Sequence, residues 1–289
     1  TVSGTGTQNF NNLTIAASSI GFSANSISLT GNLATTGSGS FTQLSGGTIL
    51  MSGTGTTING SGISPDNLTI SGTVSTSSAL AIMGNLTVSG SFTSGATIFA
   101  MIGASKTISG TGTISFSTLS IPGSVTTNAN FSVSSALAVN GSLSATAGTA
   151  TFTGTSSLSG TANLFNTTVN GTSLQLTANS NLGVAGVLTI TAGILNVTTT
   201  APNTVNFNST GAQDINAITY SNLTLSNGNG KTALAALTVN NSLTIGSGTT
   251  FIPGAFTHSI YGDWNNSGIF TAGTSTIQFL GSQNSNISG

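Results

Sequence analysis

The chain contains no cysteine, no arginine and no glutamate. Without cysteine it has neither a disulfide framework nor a thiolate metal site. Its formal charges are confined to Lys106, Lys231, Asp66, Asp214 and Asp263, which makes 2% of the chain charged, against roughly 25% in ordinary soluble domains. With no basic patch it lacks the electrostatic footprint of a nucleic-acid binder, so no nucleic-acid partner is expected. No apolar run approaches the roughly 20 residues of a membrane-spanning helix. The net charge of -1 gives copies almost no mutual repulsion, and the composition favours association. Two lysines leave little for trypsin-like proteases, which fits an extracellular setting.

What is present is 37% hydrophobic residues spread through a Gly, Ser, Thr and Asn background. That apolar share argues against a disordered low-complexity chain, because it supplies enough surface to bury. Its distribution is repetitive. Thr107 to Ile121 (TISGTGTISFSTLSI) is nearly a copy of Thr1 to Ile15 (TVSGTGTQNFNNLTI). Triplets of apolar-Thr-apolar type open near Leu13, Leu68, Leu119, Thr167 and Leu223, at spacings of 55, 51, 48 and 56 residues. Runs such as Leu86-Thr87-Val88-Ser89 and Leu188-Thr189-Ile190-Thr191 alternate apolar and small polar residues, the period of a strand with one buried face.

Between the runs stand turn-forming pairs, Asn59-Gly60, Asn140-Gly141, Asn170-Gly171 and Asn227-Gly228, expected to supply positive φ. Pro65, Pro122, Pro202 and Pro253 fall beside the strand patterns and read as corners. From Leu68 to Ile114 the pattern predicts six strands: 68–71, 79–83, 86–89, 91–93, 97–101 and 107–109. Six strands make two three-sided turns of about 25 residues each. The expected fold is therefore all-β: a right-handed parallel β-solenoid (β-helix) of about 11 or 12 rungs, roughly 55 Å long. Residues 1–289 form one continuous repeat region. A propeller is the alternative, but units of unequal length fit it poorly.

Neither end shows a capping pattern, and Asn286 to Gly289 (NISG) repeats the phase of Thr107 to Gly110 (TISG). The expectation is a processed subunit or an excerpt of a longer chain, stacked head to tail on itself. The assembly interface is expected at Thr1, Val2, Phe10, Leu13 and Ile15 on one side and Ile277, Phe279 and Ile287 on the other. Segments such as FNNLTI (Phe10 to Ile15), NLTVSGSF (Asn85 to Phe92) and Ile260 to Gly289 resemble the repeats of large secreted bacterial surface proteins of the adhesin and filament kind. That resemblance implies an extracellular or cell-surface solenoid used in adhesion, matrix or appendage building.

Other chemistries have fewer residues behind them. A carbohydrate-active enzyme needs paired carboxylates. Asp214 and Asp263, 49 residues apart, are the pair whose spacing suggests one side of the coil; otherwise Asp66 and Asp214 read as turn residues and Asp263 as a solvated corner. His258 lacks companion ligands and reads as a surface histidine, so no metal or other cofactor is expected. Tyr261 and Trp264 read as packing residues with a lesser claim as a sugar platform. Hydroxyl pairs at Thr69/Ser71, Thr87/Ser89, Thr189/Thr191 and Thr224/Ser226 resemble the Thr-x-Thr faces of ice-binding solenoids. Glycans are a candidate partner, through such a face or at the sequons of Asn12, Asn67, Asn85, Asn130, Asn166, Asn196, Asn208 and Asn222. Four of these, Asn12, Asn67, Asn85 and Asn222, stand just before a strand, where a stacked amide would serve without a glycan.

Overall fold

The computed structural model describes residues 6–16, 18–23, 26–282 and 285–289. The described residues are strands and turns, with no helix. Each turn of the coil carries three short strands, and nearly every strand pairs in parallel with its counterpart one turn on, so the chain is a three-sided parallel β-solenoid of about 15 turns.

The first face begins with Gln8–Phe10, Ile27–Leu29, Thr48–Met51 and Asn67–Ile70. Its pairing runs unbroken to Ile287–Ser288. The second face begins with Leu13–Ala16 and Leu33–Thr36, and the third with Ser19–Phe22 and Ser40–Gln43. Alternation decides which side chains enter. Val125, Leu143, Ala162, Leu182, Val205, Leu223, Leu243 and Trp264 stack in register on the first face, all buried. Each fully buried Leu, Ile, Val or Phe contributes roughly 1.5–3 kcal/mol against chain entropy. Rings from the second and third faces meet inside the coil: Phe92 packs on Phe99 at 5.3 Å and Phe99 on Phe116 at 5.1 Å.

The turn is shorter than the sequence pattern suggests. Leu68 pairs with Leu86 and Leu86 with Ile108, steps of 18 and 22 residues. The six strands expected in this stretch are present, but a seventh, Thr73–Thr76, lies between them. Its sequence TVST has one apolar residue, and its second inward position is Thr76, buried because its hydroxyl donates to Ser78 O at 2.8 Å. Counting this strand shortens the turn, raises the number of turns to about 15 and lengthens the coil to roughly 70 Å at the usual strand separation.

The five marker triplets also prove not to mark a turn. Leu13 lies on the second face, Leu68 on the first, Leu119 on the third, Thr167 on the second and Leu223 on the first. Their spacing is a whole number of turns less one face. The near-copies at the chain start and at Thr107 are displaced in the same way: Phe10 and Leu13 occupy the first and second faces, whereas Phe116 and Leu119 occupy the second and third. All three faces require the same short alternating strand, so one sequence serves any of them.

Corners follow two rules. The four prolines lie outside strands, as expected. Glycine serves close approach as often as positive φ: Gly60 and the pair Asn227-Gly228 have positive φ, but Gly141 and Gly171 do not. A Cβ at Gly141 would stand 1.8 Å from Gly123 O. At the corner between the first and second faces Gly53, Gly72, Gly90 and Gly112 form a column in which any Cβ would strike a carbonyl of the turn before.

Candidate functional site

Asparagines tie the corners together. Asn67 Oδ1 accepts from Asn85 N–H at 2.9 Å, and Asn85 Oδ1 accepts from Thr107 N–H at 2.9 Å, each bond spanning one turn. The same clamp joins Asn12 to Asn32, Asn32 to Thr57, Asn59 to Ser77, Asn130 to Thr149 and Asn166 to Val187. Five of the sequon asparagines, at 12, 67, 85, 130 and 166, thus serve as turn-to-turn fasteners. Asp263 does the same, its Oδ1 accepting from Asn286 N–H at 2.8 Å.

The carboxylates do not come together. Asp66 is buried in a turn, as expected, where its Oδ2 accepts from Gly46 N–H at 2.6 Å and from Asn67 Nδ2 at 3.1 Å. Asp214 is not in a turn: it points outward from the second-face strand Gln213–Ile215. Asp263 lies on the first face three turns later, so the 49-residue spacing spreads the two across different faces. Among the described residues no three His, Asp or Glu side chains gather as a metal site, and no helix is long and apolar enough to cross a membrane.

His258 is not on the surface. It is 1% exposed, at an inward position of the third-face strand Thr257–Ile260, against Phe251 at 5.8 Å. Its Nδ1 accepts from Leu237 N–H at 3.1 Å, which places the proton on Nε2, 2.9 Å from Pro253 O. Burial lowers its pKa, against an opposing pull from the bond to Pro253. The inward alternation of His258 with Ile260 is the signal that finds it. Trp264 is likewise internal, packed edge-on to Phe270 at 5.1 Å, while Tyr261 is exposed.

Lys231, which the sequence pattern does not single out, points into the core between Gln213 and Phe251 of the neighbouring turns. Its Nζ donates to Ser209 O at 2.6 Å and Gly211 O at 3.1 Å, and burial lowers its pKa. Chain carbonyls take the place of a counterion, a costly arrangement that fixes the 209–211 corner.

Three of the four hydroxyl pairs lie along the first face, and Thr189/Thr191 begins on the second. The row holding Thr69 and Thr87 also holds Leu50, and Thr87 shares a 3.2 Å hydroxyl contact with Ser109. Further along, the adjacent Thr224 and Thr244 are flanked in the row by Asn206 and Asn265.

Of the residues expected at an assembly interface, Thr1 and Val2 lie outside the described residues. Phe10 and Leu13 are half-buried and Ile15 is buried on the first described turn. Ile277 and Phe279 lie on the third face of the last turn and Ile287 on the first. There Ile277 is partly buried, while Phe279 is 42% and Ile287 60% exposed. The chain matches no family model, no curated protein and no solved structure.

Proposed function

We propose that the chain is a structural segment of an extracellular filament or surface stalk, extended by stacking further turns of its own kind head to tail. One observation carries the reading: the first-face ladder is hydrogen-bonded without interruption from Gln8 to Ile287 and filled by apolar side chains. An open parallel edge with an apolar row behind it is a template for another strand. A nearly uncharged surface does nothing to repel a second copy. The corner asparagines would extend across each junction as they do within the coil.

The test is truncation. Removing 1–15 or 277–289 abolishes polymerisation and leaves the middle turns folded by circular dichroism. Polymer unchanged by both deletions contradicts the proposal.

A second reading rests on the outward Thr, Ser and Asn rows of the first face: a cell-surface adhesin that holds carbohydrate or ice. It requires saturable retention on a glycan or ice surface, lost when Thr224 and Thr244 are replaced by valine.

A further inference from the structure

The solenoid has a joint. Up to Leu188–Asn196 the first and second faces are paired turn to turn throughout, and the third at every step but that from Ile63–Ser64 to Leu80–Ile82; the strand itself pairs backward with Asn166–Leu176 on both its second-face and third-face parts. Its forward edge has no ladder on either part. The next second-face strand, Gln213–Ile215, opens a separate four-stranded sheet, and the next third-face pairing starts at Thr219 with Thr238. Across this one step the backbone ladder survives only on the first face, where Asn181–Val184 pairs with Thr204–Phe207.

Side chains occupy what the ladders leave. Gln213, 7% exposed, donates from Nε2 to Val184 O and to Gly186 O, both at 2.8 Å, while its Oε1 accepts from Ser209 N–H at 3.1 Å. Asn208 Nδ2 reaches Asn163 Oδ1 at 3.4 Å, passing over Gly183. The corners on both sides of the surviving ladder carry buried amide oxygens without a partner, Asn181 Oδ1 and Asn203 Oδ1 on one and Asn208 Oδ1 on the other. Beside the open edge runs a groove of about 400 Å³ lined by Val187, Leu188, Gln213, Asp214, Thr232 and Leu234. Orphan acceptors raise the free energy of the closed joint, and water entering an opened one would satisfy them.

We propose that the rod bends here, with the first-face ladder as the pivot, the second and third faces gaping, and Gln213 as the latch that holds the second face closed. Few-residue hinges between well-packed bodies behave in this way. The two bodies keep their own three-sided cores, so bending breaks a few side-chain bonds and spares the ladders.

Spin labels on the outward row of the second face read the motion. Thr57 and Thr168 lie six turns apart on the near side of the joint, and Ser132 and Ile252 six turns apart across it, roughly 29 Å for each pair by strand separation. The expected result is a distance distribution about twofold broader for the pair that spans the joint, and broader again with Gln213→Leu. Hydrogen exchange of the unmodified protein gives a second reading that does not depend on the variant folding. Amides of 188–196 and 213–215 exchange about tenfold faster than those of 181–184 and 204–207. Equal widths for the two label pairs together with uniform protection across the four segments would overturn the joint.

Discussion

Asn85 accepts two hydrogen bonds from Thr107, one turn further along the coil: 2.9 Å from the backbone N–H and 3.1 Å from the hydroxyl. The backbone of Asn85 is itself held by Asn67 at 2.9 Å, so three turns are linked through side-chain amides at one corner. Corners are where strand pairing lapses, and these amides supply the acceptors that the ladder lacks there.

Asn85→Ala removes both acceptances while leaving the core intact. The expected loss is about 1–2 kcal/mol in chemical denaturation, because the corner is partly open to water. Asn32→Ala, which breaks the corresponding clamp on Thr57, gives a similar loss. If both variants match the parent protein, the clamps do not contribute to stability.

The glycine column makes a sharper demand. A methyl at Gly90 would stand 2.0 Å from Gly72 O, so Gly90→Ala forces the turns apart. A cost of about 1–3 kcal/mol follows, with faster exchange at Ser91 and Thr113. Gly6→Ala, at a site where a Cβ meets nothing within 4 Å, serves as the neutral comparison.

His258 makes the coil acid-sensitive. Burial holds its folded pKa below the ordinary value of 6.5, so between the two values the unfolded chain binds the extra proton. Stability is full above about pH 6.5 and declines as pH falls toward the depressed folded value, because a protonated Nδ1 can no longer accept from Leu237 N–H. Denaturation curves from pH 8 to 5 should show this decline in the parent protein and its absence in His258→Gln, which is less stable at neutral pH but flat across the range.

Lys231 acts at the alkaline end. Burial lowers its pKa in the fold, so stability rises with pH once the folded ammonium begins to lose its proton, up to the ordinary lysine value of 10.5. Lys231→Met removes that rise. The comparison belongs below pH 10: Tyr220, whose buried hydroxyl donates to Asn216 O at 2.6 Å, is raised well above its ordinary pKa and lowers stability at higher pH. Identical pH profiles for the two proteins would contradict the assignment.

Alternation made the class of fold legible, because each four-residue strand writes its inward and outward sides directly into the sequence. The length of a turn was hidden by TVST at Thr73–Thr76, where a hydrogen-bonded threonine takes a core position, and by marker triplets that move from face to face. His258 and Lys231 read as surface or unremarkable groups because burial is rare for such residues, and only their backbone partners make it tolerable. The joint at Gln213 leaves no local pattern: it is an absence of pairing between strands that each look ordinary.

The proposed filament rests on end-to-end stacking. Electron microscopy and fibre diffraction of the native material, with the mass of the denatured chain, test it directly. The expected result is an unbranched fibre with an axial repeat of roughly 4.8 Å, made either of 28.2 kDa chains or of a longer chain that continues the same turns. Discrete particles roughly 70 Å long that remain monomeric at high concentration, built from a chain of 28.2 kDa, would contradict it.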